Sequence, residues 1–153
     1  MPEAEIKLDN LSKCLEEAYL LYFNTRKDIK LNLIKPENDI YFHFDTLQIS
    51  RCFSNLIKNA IEAVEKIPNP AVEVLMATDA KNIKIEIKDN GVGIDEKMLS
   101  KIFEPYFTTK TKGTGPVLYI LKIIIYDNGG KIKIDKNKNN AGTTSLINFE
   151  YNA

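Results

Sequence analysis

A carboxylate followed by a glycine-rich loop is the strongest chemical signal in this chain. Asp89 directly follows an alternating run, residues 83–88, which predicts a strand with one apolar face. Asn-Gly-Val-Gly-Ile then follows at 90–94. An ionised Asp accepts hydrogen bonds only, so it suits an exocyclic amine such as that of adenine, and glycines let a backbone approach a flat ligand. Because Asp-Asn-Gly is also a common hairpin turn, the hexapeptide alone leaves both interpretations open.

A second candidate set lies on one face of a predicted helix. Positions 55, 59, 62 and 66 share that face, and they hold Asn55, Asn59, Glu62 and Lys66. Such a polar stripe is commonly the solvated side of a helix. Two asparagines in mid-helix are unusual, however, because Asn is a mediocre helix former, and amide oxygens are suitable ligands for Mg²⁺. We therefore interpret the stripe as facing a ligand.

The third set is the loop 103–115, which combines aromatic residues, hydroxyls, lysines and glycines. Aromatic rings can cover a base, and lysines, hydroxyls and free amides can hold phosphate oxygens. The helix predicted from Pro116 would direct its N-terminal dipole toward an anion. A solvated surface loop is the alternative, but a loop of this length in a compact domain favours a functional lid. Further on, Gly-Thr-Thr at 142–144 places the Thr144 hydroxyl where it could support Asp89.

The periodicity of apolar residues predicts the elements that position these groups. Helices are expected at 9–23, 45–66 and 116–126, and the stop signal Asn-Gly-Gly at 128–130 ends the last one. Strands are expected at 29–33, 40–44, 72–76, 83–88, 131–134 and 143–151, with consecutive strands paired as hairpins. This order predicts an α/β two-layer sandwich, in which a mixed, mainly antiparallel sheet is covered on one face by three helices.

The composition argues against several other classes of protein. The length of 153 residues predicts a single domain, residues 1–153. Lys plus Arg equals Asp plus Glu at 21 each, so the net charge does not attract nucleic acid or an anionic membrane. No apolar run approaches the ~20 residues of a membrane span, and the first residues lack a signal peptide, so a cytoplasmic location is expected. One histidine and two isolated cysteines, Cys14 and Cys52, argue against zinc and favour reduced, buried thiols.

Taken together, these segments resemble the catalytic ATP-binding domain of two-component sensor histidine kinases, within the Bergerat-fold ATPases. Residues 55–63 are similar to the N box of that family, and residues 89–94 to its first glycine box. Residues 103–107 are similar to the F box, 113–118 to the second glycine box and 142–144 to the last one. The five boxes occur in the family's order, and the resemblance covers nearly the whole chain.

The resemblance implies a role for each matched residue. Asn59 would coordinate Mg²⁺, with Asn55 assisting on the phosphate side, and Asp89 would accept the adenine amino group of ATP or ADP. Asn55 and Lys110 are the candidate catalytic residues. The remaining implied nucleotide contacts are Glu62, Ala63, Gly91, Gly93, Ile94, Phe103, Phe107, Thr109, Lys110, Gly113, Thr114, Gly115, Leu118 and Thr144.

The resemblance also implies partners. The γ-phosphate would pass to a histidine on a separate helical hairpin that dimerises the parent kinase, and then to a response regulator receiver domain. The isolated chain is expected to be a monomer with little histidine phosphorylation, and without direct contact to nucleic acid or membrane. His43 is interpreted as an ordinary sheet residue rather than a phosphoacceptor. Two alternatives stay open, a serine kinase of the anti-sigma-factor type and a nucleotide-binding or partner-binding module with weakened transfer.

The second glycine box departs from the family pattern. The family usually has Gly-x-Gly-Leu-Gly-Leu, whereas this chain has Gly-Thr-Gly-Pro-Val-Leu at 113–118. Pro116 has no N–H to offer a phosphate, although proline suits the first turn of a helix, and the β-branched Val117 restricts the backbone. We therefore expect nucleotide binding to be retained with weaker contacts to the triphosphate.

Overall fold

The computed structural model describes residues 3–104, 115–137 and 141–151. Within these ranges the strands are β1 (Lys7–Asn10), β2 (Lys30–Ile34), β3 (Tyr41–Phe44), β4 (Ala71–Thr78), β5 (Asn82–Asp89), β6 (Gly130–Lys136) and β7 (Thr143–Glu150). The helices are α1 (Leu11–Phe23), α2 (Thr46–Val64), the short α3 (Glu96–Leu99) and α4 (Gly115–Asp127). No helix in these ranges is both long and apolar enough to cross a lipid bilayer.

Five of the strands form one sheet in the order β2-β4-β5-β7-β6. The β2–β4 pair is parallel, and the other three pairs are antiparallel. Helices α1, α2 and α4 pack against this sheet. The prediction of a two-layer sandwich with a mixed, mainly antiparallel sheet is therefore confirmed.

The predicted hairpin between residues 29–33 and 40–44 is wrong. β2 pairs with β4, so that Leu31 lies opposite Val72, whereas β3 pairs antiparallel with β1 in a separate two-stranded sheet. β1 was not predicted, because this short strand is largely exposed and lacks apolar alternation. β1 is held by its antiparallel pairing with β3, and directly after it the Leu11 N–H donates to the Ile40 carbonyl at 2.8 Å and the Ile40 N–H donates to the Ser12 hydroxyl at 2.9 Å.

Side-chain caps define where the first two helices begin. The Asn10 side chain accepts from the Lys13 N–H at 2.9 Å, so α1 begins at Leu11 and not at Asp9 as expected. Asp45 caps α2 in the same way by accepting from the Gln48 N–H at 3.0 Å, so this helix begins at Thr46, one residue after its expected start.

The alternation of β5 determines which way its final side chain points. Ile83, Ile85 and Ile87 are buried toward the helices, whereas Lys84 on the opposite face is exposed. Because strand side chains alternate between the two faces, Asp89 takes the next inward position. A carboxylate thus continues a row of isoleucines into the layer between sheet and helices.

Candidate nucleotide-binding site

A pocket of about 250 Å³ lies where α2 faces the carboxyl end of β5 and the beginning of β7. Most of its wall is apolar, and a few polar side chains point into it, as is usual for sites that bind a small planar ligand. Its lining residues are Leu56, Asn59, Ala60, Ala63, Asp89, Val92, Gly93, Ile94, Leu118, Ile134, Thr143 and Ser145.

Asp89 is the carboxylate of this pocket, and only 7% of its surface is exposed. The Gly91 N–H donates to its Oδ1 at 2.9 Å, and the Thr143 N–H donates to the same carboxylate. Burial raises the pKa of Asp89, and these two N–H groups offset part of that rise. A carboxylate has about four lone-pair sites, so Asp89 can accept at least one further hydrogen bond from a ligand amine.

Two glycines allow the backbone segments around Asp89 to approach each other closely. A Cβ added to Gly91 would lie 2.4 Å from the Ala63 carbonyl oxygen on α2, and one added to Gly142 would lie 1.9 Å from the Asp89 carbonyl oxygen. Gly142 also has a φ of +91°, which L side chains rarely adopt. The pocket wall at Asp89 therefore depends on glycine at both positions.

Comparison with known proteins agrees with this geometry. Residues 44–152 match the family described as "Histidine kinase-, DNA gyrase B-, and HSP90-like ATPase". The chain belongs to this ATPase family. The catalytic domain of histidine kinase ThkA, solved in a nucleotide-free form, is similar with a TM-score of 0.84 and 30% identity over 96% of each chain.

Curated relatives of this ATPase domain are sensor kinases. Sporulation kinase A of Bacillus subtilis (strain 168) is 37% identical over 143 residues, which are 92% of this chain and 23% of that protein. Sensor protein FixL of Bradyrhizobium diazoefficiens is 30% identical over 92% of this chain and 28% of its own length. The chain thus spans about a quarter of these relatives and is homologous to the ATP-binding catalytic domain of sensor histidine kinases.

A further solved structure is that of ThkA in complex with the response regulator protein TrrA. Its similarity to this ATPase domain has a TM-score of 0.81 and 25% identity, over 97% of this chain and 42% of that chain.

The structure brings together many of the residues that the sequence singled out. Of the predicted nucleotide contacts, those that line the pocket are Asn59, Ala63, Asp89, Gly93, Ile94 and Leu118. Gly91 lies directly behind them, between Asp89 and Ala63. The N box and the first glycine box therefore meet at one pocket, although they are far apart in sequence.

Asn55, Glu62 and Phe103 were also predicted as contacts, but they are not part of the pocket wall. Asn55 is one helical turn before Asn59 on α2. Glu62 lies near Tyr22 on α1. Burial is the main cause that raises the pKa of the Tyr22 phenol, and the negative charge of Glu62 raises it further. The Phe103 ring lies 5.4 Å from the Lys122 ammonium, so the F box begins against the exposed side of α4.

The predicted contact between the Thr144 hydroxyl and Asp89 is wrong by one residue. Thr144 pairs with Lys88 in the β5–β7 register, and its hydroxyl donates to the Asn137 side-chain oxygen. Because side chains alternate along β7, the buried Thr143 takes the inward position, and its N–H reaches the carboxylate.

Several pocket residues escaped the sequence analysis. Leu56 and Ala60 on α2 form part of the pocket wall but were not among the predicted contacts. Ile134 on β6 and Ser145 on β7 are paired across the two strands and line the pocket, and their inward direction follows from a register that neither strand specifies alone. Val92, which is 83% exposed, lines the mouth of the pocket but gives no sequence signal beyond its place between two glycines.

The phosphate side of the site is described only in part. The predicted contacts Phe107, Thr109, Lys110, Gly113 and Thr114 lie outside the described residues. Gly115 is the first residue of α4, whose expected start was Pro116. The predicted helix after the second glycine box is therefore present, and Leu118 in its first turn reaches the pocket.

Proposed function

We propose that this domain binds Mg²⁺-ATP and presents the γ-phosphate to a histidine on a separate dimerisation domain of its parent kinase. The observation that carries the proposal is the buried Asp89 carboxylate, held by two main-chain N–H groups at one end of an apolar pocket. Adenine matches that pocket because it is flat and bears one exocyclic amine, and the family of this domain consists of ATPases.

The adenine end of the site would be formed by residues from both layers. Asp89 would accept from the adenine amino group, and the backbone at Gly91 and Gly93 would allow the base to lie close to the loop. Ala63 on α2, with Ile94 and Leu118, would contact the base through apolar surface. These contacts would fix the orientation of the nucleotide and exclude water from the base.

The metal end would be formed by the N box. Asn59 lines the pocket with a side chain whose amide oxygen suits Mg²⁺, and Asn55 lies one turn before it on the same face of α2. When bound, Mg²⁺ would neutralise part of the phosphate charge. The contribution of the protein would then be to position the nucleotide, and Lys110 is proposed to contact the phosphates.

Transfer would require partners outside the present chain. The histidine would be supplied by a dimerisation domain of the same parent kinase, and the parent would act as a homodimer. The complex of ThkA with TrrA supports a response regulator as the next acceptor. A module with weakened transfer is the second candidate, and it is favoured by Pro116, which cannot donate an N–H to a phosphate.

Phosphotransfer to a matching histidine-bearing hairpin tests this proposal. The chain would be mixed with that hairpin and labelled ATP, and acid-labile phosphate on the hairpin is the expected result. Asn59→Ala should abolish the labelling, whereas Lys58→Ala, at the neighbouring exposed position of α2, should leave it unchanged. Tight ATP binding without any acid-labile phosphate would support the module instead.

The altered glycine box is tested separately by titration with ADP and ATP. The pair of changes Pro116→Leu and Val117→Gly restores the usual family pattern. We expect these changes to strengthen ATP binding more than ADP binding, because they act at the phosphate end. Equal affinities before and after the changes would contradict the idea that this box weakens triphosphate contacts.

A further inference from the structure

Asn137, the residue directly after β6, joins the ends of two strands next to Asp89. Its side-chain Nδ2 donates to the Asp89 carbonyl oxygen at 2.9 Å and to the Ala141 carbonyl oxygen at 2.7 Å. Its own N–H donates to the Gly142 carbonyl oxygen at 3.2 Å, and its Oδ1 accepts from the Thr144 hydroxyl. One side chain thus connects the β6–β7 connection to the end of β5.

The chemistry of these contacts requires an amide. The two acceptors are carbonyl oxygens, so they need the two hydrogens of the Nδ2 group, and the Thr144 hydroxyl needs an acceptor. An Asn side chain supplies both in a fixed geometry. Asp at this position would place an oxygen against two carbonyl oxygens and leave both without a donor.

A local turn does not explain the whole arrangement. The bonds to Ala141 and Gly142 stay within the β6–β7 connection, but the bond to Asp89 spans 48 positions of the sequence. The Asp89 carbonyl oxygen also faces Gly142, where a Cβ would lie only 1.9 Å away. The next residue, Thr143, donates its N–H to the Asp89 carboxylate. Asn137 therefore holds both the main chain of Asp89 and the segment that orients its carboxylate.

We propose that Asn137 is a positioning residue for adenine recognition. Its hydrogen bonds hold the β6–β7 connection against the end of β5, and the Asp89 carboxylate therefore keeps the orientation in which it accepts a hydrogen bond from the exocyclic amine. This inference rests on the proposed nucleotide binding at the Asp89 pocket. It extends that site to a residue that lies outside the pocket wall and carries no charge.

The test compares ADP with purine riboside 5′-diphosphate, which lacks the exocyclic amine, by calorimetric titration. The parent chain should bind ADP more tightly than purine riboside 5′-diphosphate. Asn137→Asp should reduce this ratio of affinities about tenfold, because a misplaced carboxylate no longer accepts a hydrogen bond from the amine. Asn148→Asp is the matched control. Asn148 lies on β7 away from the pocket, where its Nδ2 donates to the Asn82 side chain at 2.9 Å, so the preference should not change.

The ratio of the two affinities distinguishes positioning from general damage. An unchanged ratio in Asn137→Asp overturns the proposal, even if both affinities fall together. Thr144→Val, which removes only the hydroxyl that orients the amide, provides a milder variant if Asn137→Asp does not fold, and it should lower the ratio by a smaller factor. A parent chain that binds neither nucleotide would refute the proposed function itself, which is a different outcome from an unchanged ratio.

Discussion

Replacing Asp89 by Asn should separate nucleotide affinity from stability. Of the residues described as lining the pocket, Asp89 alone is ionisable. Asn has the same shape, but it presents a donor in place of one acceptor oxygen and carries no charge. A hydrogen bond to a charged group contributes about 1.5–3 kcal/mol, so ADP should bind about 10- to 150-fold more weakly.

The same change should alter how stability depends on pH. Burial raises the pKa of Asp89 above its ordinary value of 3.8, so folding disfavours the ionised form. The stabilisation that Asp89 contributes is complete below pH 3.8 and is lost as the pH rises through the raised value of the folded state. Asn does not titrate, so the free energy of unfolding of the variant relative to the parent should increase as the pH rises from 4 to 7.

Calorimetric titration with ADP and thermal unfolding between pH 4 and 7 measure the two effects. Asp79→Asn is the matched control, since Asp79 lies exposed in the β4–β5 turn at the other end of β5. Hydrogen bonds from the N–H groups of Lys81 and Asn82 lower the pKa of Asp79, so the stabilisation by its carboxylate is lost only in acid, as the pH falls below 3.8. Its replacement should therefore show little pH dependence between pH 5 and 7 and no effect on ADP affinity. An Asp89→Asn variant whose affinity for ADP is within twofold of that of the parent would refute the assignment of Asp89 as the group that recognises adenine.

Three further predictions concern packing and buried groups. Gly91→Ala should lower the free energy of unfolding by about 1–3 kcal/mol and weaken ADP binding, because its Cβ would lie 2.4 Å from the Ala63 carbonyl oxygen. Thermal unfolding with and without ADP measures both effects, and an unchanged melting temperature would contradict the prediction. Burial raises the pKa of both Cys14 and Cys52 to about 12, so neither thiol should react with a disulfide reagent at pH 8 until the chain unfolds; rapid labelling of the native protein would disprove this. Asn128→Ala should cost about 1–3 kcal/mol in chemical denaturation, because the buried Asn128 oxygen accepts from the Asp45 N–H at 2.7 Å; a denaturation midpoint equal to that of the parent would argue against this.

Local patterns in the sequence were sufficient for the parts of the site that lie within one element. The alternation of Ile83, Ile85 and Ile87 is a property of the strand itself, so the inward direction of Asp89 could be predicted. The spacing of Asn55 and Asn59 fixes their shared face on α2 for the same reason. The cap at Asp45 is likewise local, since its side chain bonds to the main chain three residues later.

Contacts between distant segments were decided only by the tertiary structure. The pairing of β2 with β4, and of β3 with β1, depends on which strands the packed core brings together, and no local period records that choice. The one-residue difference between Thr143 and Thr144 at Asp89 follows from the β5–β7 register, which is a property of two strands and not of one.

The same distinction explains the roles of Gly91 and Asn137. The sequence by itself determined that Asp89 ends a strand with its carboxylate toward the helices and that glycines follow it. Only the fold brings the Ala63 carbonyl of α2 against Gly91 and the amide of Asn137 against the Asp89 carbonyl. Hydrogen bonds and close contacts between segments require both partners in space, so a pattern within either segment alone cannot specify them.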